Sequence, residues 1–212
     1  YRSLAEAADS RLVAALASAE QAAVLEPNRP EIHAHLARCY LLRGDAQPAL
    51  LAARKAAALP IDEVALIDRV ASVLTQFGDA AAALPLFERA IAIDPSNPIV
   101  FYNFGSALRA LDRRDEALAQ FERALELAPG FALAHCAIAE LGHRPDGHHH
   151  VERIEAARPL LAESTEPMAI LDFALFKELD QAGQHGPAAN ALERANHIMQ
   201  AIARVDSDRE AE

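Results

Sequence analysis

Three consecutive stretches of the chain, residues 30–63, 64–97 and 98–131, superimpose at a fixed spacing of 34 residues. With Pro30, Val64 and Pro98 counted as position 1, position 7 carries Leu36, Val70 and Phe104, and position 8 carries Ala37, Ala71 and Gly105. Position 11 carries Tyr40, Leu74 and Leu108. Alanine recurs at position 20 (Ala49, Ala83, Ala117) and at position 27 (Ala56, Ala90, Ala124). Pro95 and Pro129 occupy position 32, and Pro60 falls one place early. Several independent positions recurring in phase describe a unit that cannot bury its apolar side alone and stacks on copies of itself.

Inside each unit the period is helical. Phe101, Phe104 and Leu108 share one face of a first helix, and Leu118, Phe121 and Leu125 share one face of a second. Gly44-Asp45 and Gly78-Asp79 supply a helix stop and then an N-cap between the two. Asp94-Pro95-Ser96-Asn97-Pro98 closes one unit and opens the next. Small residues at positions 8, 20 and 27 let helix backbones approach closely. Pro85 lies about six residues into its helix, where a proline removes a hydrogen bond, so a bend or a shifted start is expected there.

The period and its small positions resemble the tetratricopeptide repeat, a helix–turn–helix unit. The resemblance implies an all-α, right-handed superhelical solenoid of antiparallel helix pairs, about five and a half of them. Residues 1–29 read as a partial repeat, with 11–26 its second helix and Tyr1 midway along its first. A domain seldom begins halfway along a helix, so a longer parent protein is expected, and apolar surface at the incomplete pair predicts a monomer or weak dimer. Beyond 131 a degenerate repeat spans 132–168, with a short first helix at 132–141, a breaking stretch at Gly142–Gly147, and a helix over roughly 149–161. A last repeat occupies 169–202, its helices at 168–181 and 187–203; residues 206–212 read as an acidic tail or linker.

Composition narrows the function classes. Apolar residues reach 52% while aromatics are only 5%, so the core is mostly Ala and Leu, as closely packed helices require. A formal net charge of −11 argues against a nucleic-acid partner, which a basic surface would attract. No apolar run is long enough to span a membrane, and no export leader is visible, so a cytoplasmic location without a membrane partner is expected. Cys39 and Cys136 read as buried small hydrophobes of a reducing compartment.

The His143, Asp146, His148, His149, His150 cluster is the one stretch with metal-ligand residue types. Adjacent helical histidines diverge, and a structural zinc needs four converging ligands, so a solvated loop and helix start is the reading; no metal and no cofactor are predicted. Phosphate-binding glycine loops, H-E-x-x-H and G-x-S-x-G are absent. Glu88-Arg89, Glu122-Arg123 and Glu193-Arg194 read as solvated, charge-balanced faces. No catalytic residue is predicted.

In tetratricopeptide arrays the first helices line the binding groove through positions 2, 5, 6, 9, 12 and 13. Carried onto this chain, those positions place His35, Arg38, Asp68, Arg69, Gln76, Tyr102, Asn103, Ser106 and Arg109 along it. Arg38, Arg69 and Arg109 would form a basic strip suited to an acidic peptide or a C-terminal carboxylate. Family members that grip chaperone C-termini use a Lys and Asn clamp at positions 5 and 9; here Ala34, Arg38, Asp68, Ser72, Tyr102 and Ser106 stand there, so that clamp is not reproduced.

Residues 131–199 carry a second resemblance. Leu171-Asp172-Phe173-Ala174-Leu175-Phe176-Lys177-Glu178-Leu179-Asp180 and Ala191-Leu192-Glu193-Arg194-Ala195-Asn196 are similar to helices of the repeat region of bacterial tetratricopeptide-repeat sulfotransferases. The chain departs from that pattern at Asp172 (usually His), Gln181 (usually Asp) and Ala195 (usually Gly). The donor-binding loop of such enzymes is absent from this sequence. Three readings follow: a non-catalytic protein- or peptide-binding scaffold, the repeat region of a sulfotransferase-like parent, and a structural spacer or assembly module.

Overall fold

The computed structural model describes residues 2–142, 150–163 and 165–211. Among them are eleven α-helices and no strand. Two compact units divide the chain, residues 1–113 and 114–212.

The first unit holds α1 (Arg2–Leu25), α2 (Pro30–Arg43), α3 (Ala46–Ala57), α4 (Val64–Gln76), α5 (Ala80–Ile93) and α6 (Pro98–Ala110). Each helix packs on the next, and the first helices of successive pairs also touch, α2 with α4 and α4 with α6. The recurring alanines explain that spacing. Ala37, Ala49, Ala56, Ala71, Ala83 and Ala90 are fully buried, so nothing longer than a methyl separates the backbones there. Phe87 and Phe104, at 5.9 Å between ring centroids, fill the space that the small residues leave.

Turn geometry repeats as faithfully as the core. Position 15 is left-handed in Gly44 (φ 83°), Gly78 (φ 85°) and Gly183 (φ 72°), and Asp112 holds the same place at φ 57°. Asp45 and Asp79 do stand at helix N-caps, but their carboxylates make no capping bond. They pair instead with Arg43 and, at 2.7 Å, with Arg54. The junction before α6 is capped as expected, with Ile99 N–H donating to Asn97 Oδ1 at 3.1 Å.

Two expectations are corrected in this unit. The predicted break between two helices of a partial first repeat is absent, because α1 runs without interruption from Arg2 to Leu25. Position 15 of that repeat is Ser10, and without a glycine there nothing relieves the left-handed strain that a hairpin needs. Pro85 does not displace the start of α5, which begins at Ala80. Pro85 and Ala81, whose carbonyl loses its partner, are both exposed, so water can serve that oxygen. Val13, Val24 and Leu25 leave an apolar face of α1 exposed.

The second unit holds α7 (Arg114–Leu127), α8 (Ala132–Leu141), α9 (Val151–Ala157), a 3₁₀ turn (Arg158–Leu160), α10 (Glu166–Gln181) and α11 (His185–Ala211). Here α8 packs on α7 and α10, and α10 packs on α9 and α11. Its core runs through Ala139, Ile154, Leu171, Leu175 and Ala191. The α11 helix continues through the expected tail to Ala211. Cys39 is buried, with its thiol pushed up by burial although Arg38 opposes the shift. Cys136 is only half-buried, and neither cysteine is in a disulfide.

Candidate peptide-binding cleft

The first helices α2, α4 and α6 present a solvent-facing cleft of about 460 Å³ in the first unit. Arg38 comes from α2; Asp68, Arg69, Ser72 and Gln76 come from α4; Ile99 comes from α6. Four of the nine groove residues expected from the sequence, Arg38, Asp68, Arg69 and Gln76, therefore line one cavity. Asn103 joins it indirectly, donating from Nδ2 to Asp68 Oδ1 at 2.8 Å.

The other four stand aside. His35 is exposed on α2, its Nε2 3.6 Å from Cys39 Sγ. Ser106 turns inward along its own helix and donates to the Tyr102 carbonyl at 3.0 Å. Tyr102 and Arg109 are half-buried on α6 and do not line the cleft. The expected basic strip is thus two arginines that share the cleft with a carboxylate, Asp68. Burial holds the Asp68 carboxyl above the ordinary carboxylate range, against the opposing pull of the Asn103 hydrogen bond and the Arg69 guanidinium. Neither Arg38 nor Arg69 has a hydrogen-bond partner among the described residues, so their guanidinium donors face solvent.

Sequence reasoning missed a set of buried polar residues that hold the repeats in register. His33 and His135 both occupy position 4, and each donates from Nε2 to the position-32 carbonyl of the preceding turn, Pro27 at 2.7 Å and Pro129 at 2.9 Å. Where position 4 is apolar Ile67, Arg89 takes over and donates to the Ile61 carbonyl at 2.7 Å. Arg89 is therefore half-buried, and the solvated-face reading of it is corrected. At position 4 of the last repeat stands Asp172, fully buried and held by Arg158 and Arg194. The position is buried in every other repeat, so an acid there demands a cation; the sequence by itself marked Asp172 only as a departure from the sulfotransferase-like helix.

His143, Asp146, His148 and His149 lie outside the described residues. His150 is described, and it is not solvated. Only 3% exposed, it places Nδ1 2.5 Å from Glu178 Oε1 and Nε2 3.3 Å from the His135 carbonyl. Its ring stacks on His135 with centroids 5.6 Å apart. No group of three or more metal-ligating side chains converges among the described residues. No helix among them is long and apolar enough to cross a membrane.

The repeat geometry now has its counterpart among known proteins. Residues 74–141 match the family model of the tetratricopeptide repeat. The fold is a tetratricopeptide-repeat solenoid. A crystal structure of MamA is similar over 94% of this chain and 95% of its own, at 16% identity and a TM-score of 0.56. MamA from Desulfovibrio magneticus RS-1, residue 41 to its end, covers 76% of this chain and 92% of its own, at 23% identity and a TM-score of 0.60. YrrB, described as a TPR protein with an unusual peptide-binding site, covers 88% of this chain and 86% of its own, at 21% identity and a TM-score of 0.55. These identities speak to the fold alone. No curated protein sequence matches the chain.

Proposed function

We propose that the chain is a non-catalytic scaffold that binds a protein or peptide through the α2–α4–α6 cleft, with Arg38 and Arg69 receiving an acidic side chain or a C-terminal carboxylate. The observation that carries this reading is the convergence of two exposed arginines from successive first helices on one cavity. Guanidinium forks suit a carboxylate bidentately, and the apolar Ile99 and Val73 give the cavity a wall for an aliphatic side chain. Likeness to YrrB, whose own description records a peptide-binding site, supports the same class of ligand.

Asp68 sets the specificity in this reading. Its carboxylate lines the cleft with both arginines, so a ligand with one negative charge gains more than a densely acidic one, which Asp68 repels. Peptide pull-down from a C-terminal carboxylate library, repeated with the Arg38→Ala, Arg69→Ala pair, tests it. Loss of recovery in the variant supports groove binding. Unaltered recovery favours a structural spacer.

The sulfotransferase-like reading rests on the residue pattern of 131–199, which is α8 to α11. In that reading the second unit positions a substrate or partner for a catalytic domain elsewhere in the parent protein. Its test is the parent coding sequence.

A further inference from the structure

We infer that the second unit carries a separate binding site for a small amphiphilic monoanion, an aliphatic carboxylate by chemical class. Beside the buried Asp172 lies a cavity of about 740 Å³, the size of a small-molecule site. Leu161, Met168 and Ile198 supply apolar wall, and Arg158, Asp172 and Arg194 supply charge.

The charge is arranged asymmetrically. The Asp172 side chain is 1% exposed, whereas those of Arg158 and Arg194 are 25% and 43% exposed. An incoming ligand therefore meets the two guanidiniums far more than the carboxylate that holds them, although Asp172 borders the cavity. Arg194 reaches Asp172 Oδ1 through Nε at 3.3 Å and Nη2 at 2.9 Å, and Arg158 reaches the same oxygen through Nη1. Arg158 Nε also lies 3.7 Å from Glu155, a side chain 53% exposed and so well screened. Arg194 Nη1 and Arg158 Nη2 have no protein partner among the described residues. Held in place by a buried anion, these donors are ready for a carboxylate without the entropy cost of ordering two long side chains.

Two further acids at the cavity define the head group. Glu163 and Glu193 are exposed and line the same space. With Asp172 they set three acids against the two arginines, so a phosphate or a polyanion is repelled, and a single carboxylate fits only where it lies against the guanidiniums and away from Glu163 and Glu193. The apolar wall then selects a ligand with an aliphatic body over acetate.

The test uses the 212-residue chain and octanoate as probe. Methionine occurs only twice, and Met168 lines the cavity while Met199 does not, so ¹³C-methyl spectra separate site binding from surface binding. Octanoate is expected to shift the Met168 methyl at one equivalent and leave Met199 in place. Acetate, inorganic phosphate and neutral octanamide are expected to bind at least tenfold more weakly by calorimetry. Arg194→Gln and Arg158→Gln should each weaken octanoate at least tenfold, with helicity by circular dichroism verifying the fold. Octanoate binding that moves only Met199, that survives both substitutions, or that octanamide or phosphate matches would overturn the inference, as would no binding at millimolar octanoate.

Discussion

Arg194 Nη2 lies 2.9 Å from Asp172 Oδ1, joining residues 22 positions apart across the α10–α11 hairpin. Arg158, from the turn after α9, donates to the same oxygen. The anion is sealed and the cations are not, so the energetic stakes are unequal. Removing both arginines leaves a buried carboxylate with no partner, whereas removing Asp172 leaves cations that water can reach. In urea unfolding, the Arg158→Met, Arg194→Met double variant is expected to lose about 3–5 kcal/mol. Each single should lose much less, because the other arginine still covers the anion. A double-mutant cycle with additive losses would contradict this picture.

His135 gives the second unit a pH dependence of definite sign. Burial, aided by the neighbouring His150 and Arg153, pulls its pKa down to about 4, while the Pro129 hydrogen bond and Glu122 oppose the shift. Its Nε2–H serves the Pro129 carbonyl and its buried Nδ1 has no partner among the described residues, which suits a neutral ring with Nδ1 unprotonated. The unfolded chain accepts the proton first. This contribution to stability is therefore complete above pH 6.5 and declines as pH falls toward 4, by about 1.4 kcal/mol per pH unit at its steepest. Phe101 fills the same repeat position, so His135→Phe is the natural control. Thermal melts at pH 7.5 and 5 should show a larger loss for the parent chain than for the variant; equal losses would be evidence against the assignment.

Ala83 tests the packing. It is fully buried at position 20, and a leucine there is expected to force the helices apart at a cost of roughly 1–3 kcal/mol. A thermal melt reads it directly. An unchanged midpoint would mean the helices are not in close approach.

Gly78 separates backbone strain from crowding. A Cβ added there meets nothing within 4 Å, yet φ is +85°. Gly78→Ala is expected to destabilise the chain by about 1 kcal/mol through the left-handed backbone alone. A neutral result in urea titration would remove the left-handed turn from the account of the hairpin.

Asp68 ties ligand affinity to pH. Burial holds its carboxyl above its ordinary range, against Arg69 beside it, and it lines the cleft that Arg38 also lines, so acidification neutralises it before the exposed acids. An acidic peptide is then expected to bind more tightly at pH 5 than at pH 7.5. In Asp68→Asn the affinity should be high at both values. Calorimetry showing the opposite trend in the parent chain would place the peptide elsewhere.

A 34-residue period, alanines at positions 20 and 27 and glycine at position 15 were enough to define stacked helical hairpins. Each of these is a property of one helix or one turn: a face that must be apolar, a Cβ that must be small, a φ that must be positive. The unbroken α1 went against the reading of a partial repeat, although Ser10 stands where Gly44, Gly78, Asp112 and Gly183 make the left-handed turn. Which charged residues would be buried was decided only in three dimensions. Asp172 and Glu178 lie in a helix whose period marks their face, but the arginines and the histidine that satisfy them arrive from other helices and turns. For the cleft, likewise, the repeat register put Arg38, Arg69 and Arg109 on equivalent faces, and only tertiary packing set two of them around a cavity and left the third aside. Periodicity determines direction along a single helix; distance between side chains depends on how neighbouring helices pack, and ionic chemistry depends on distance.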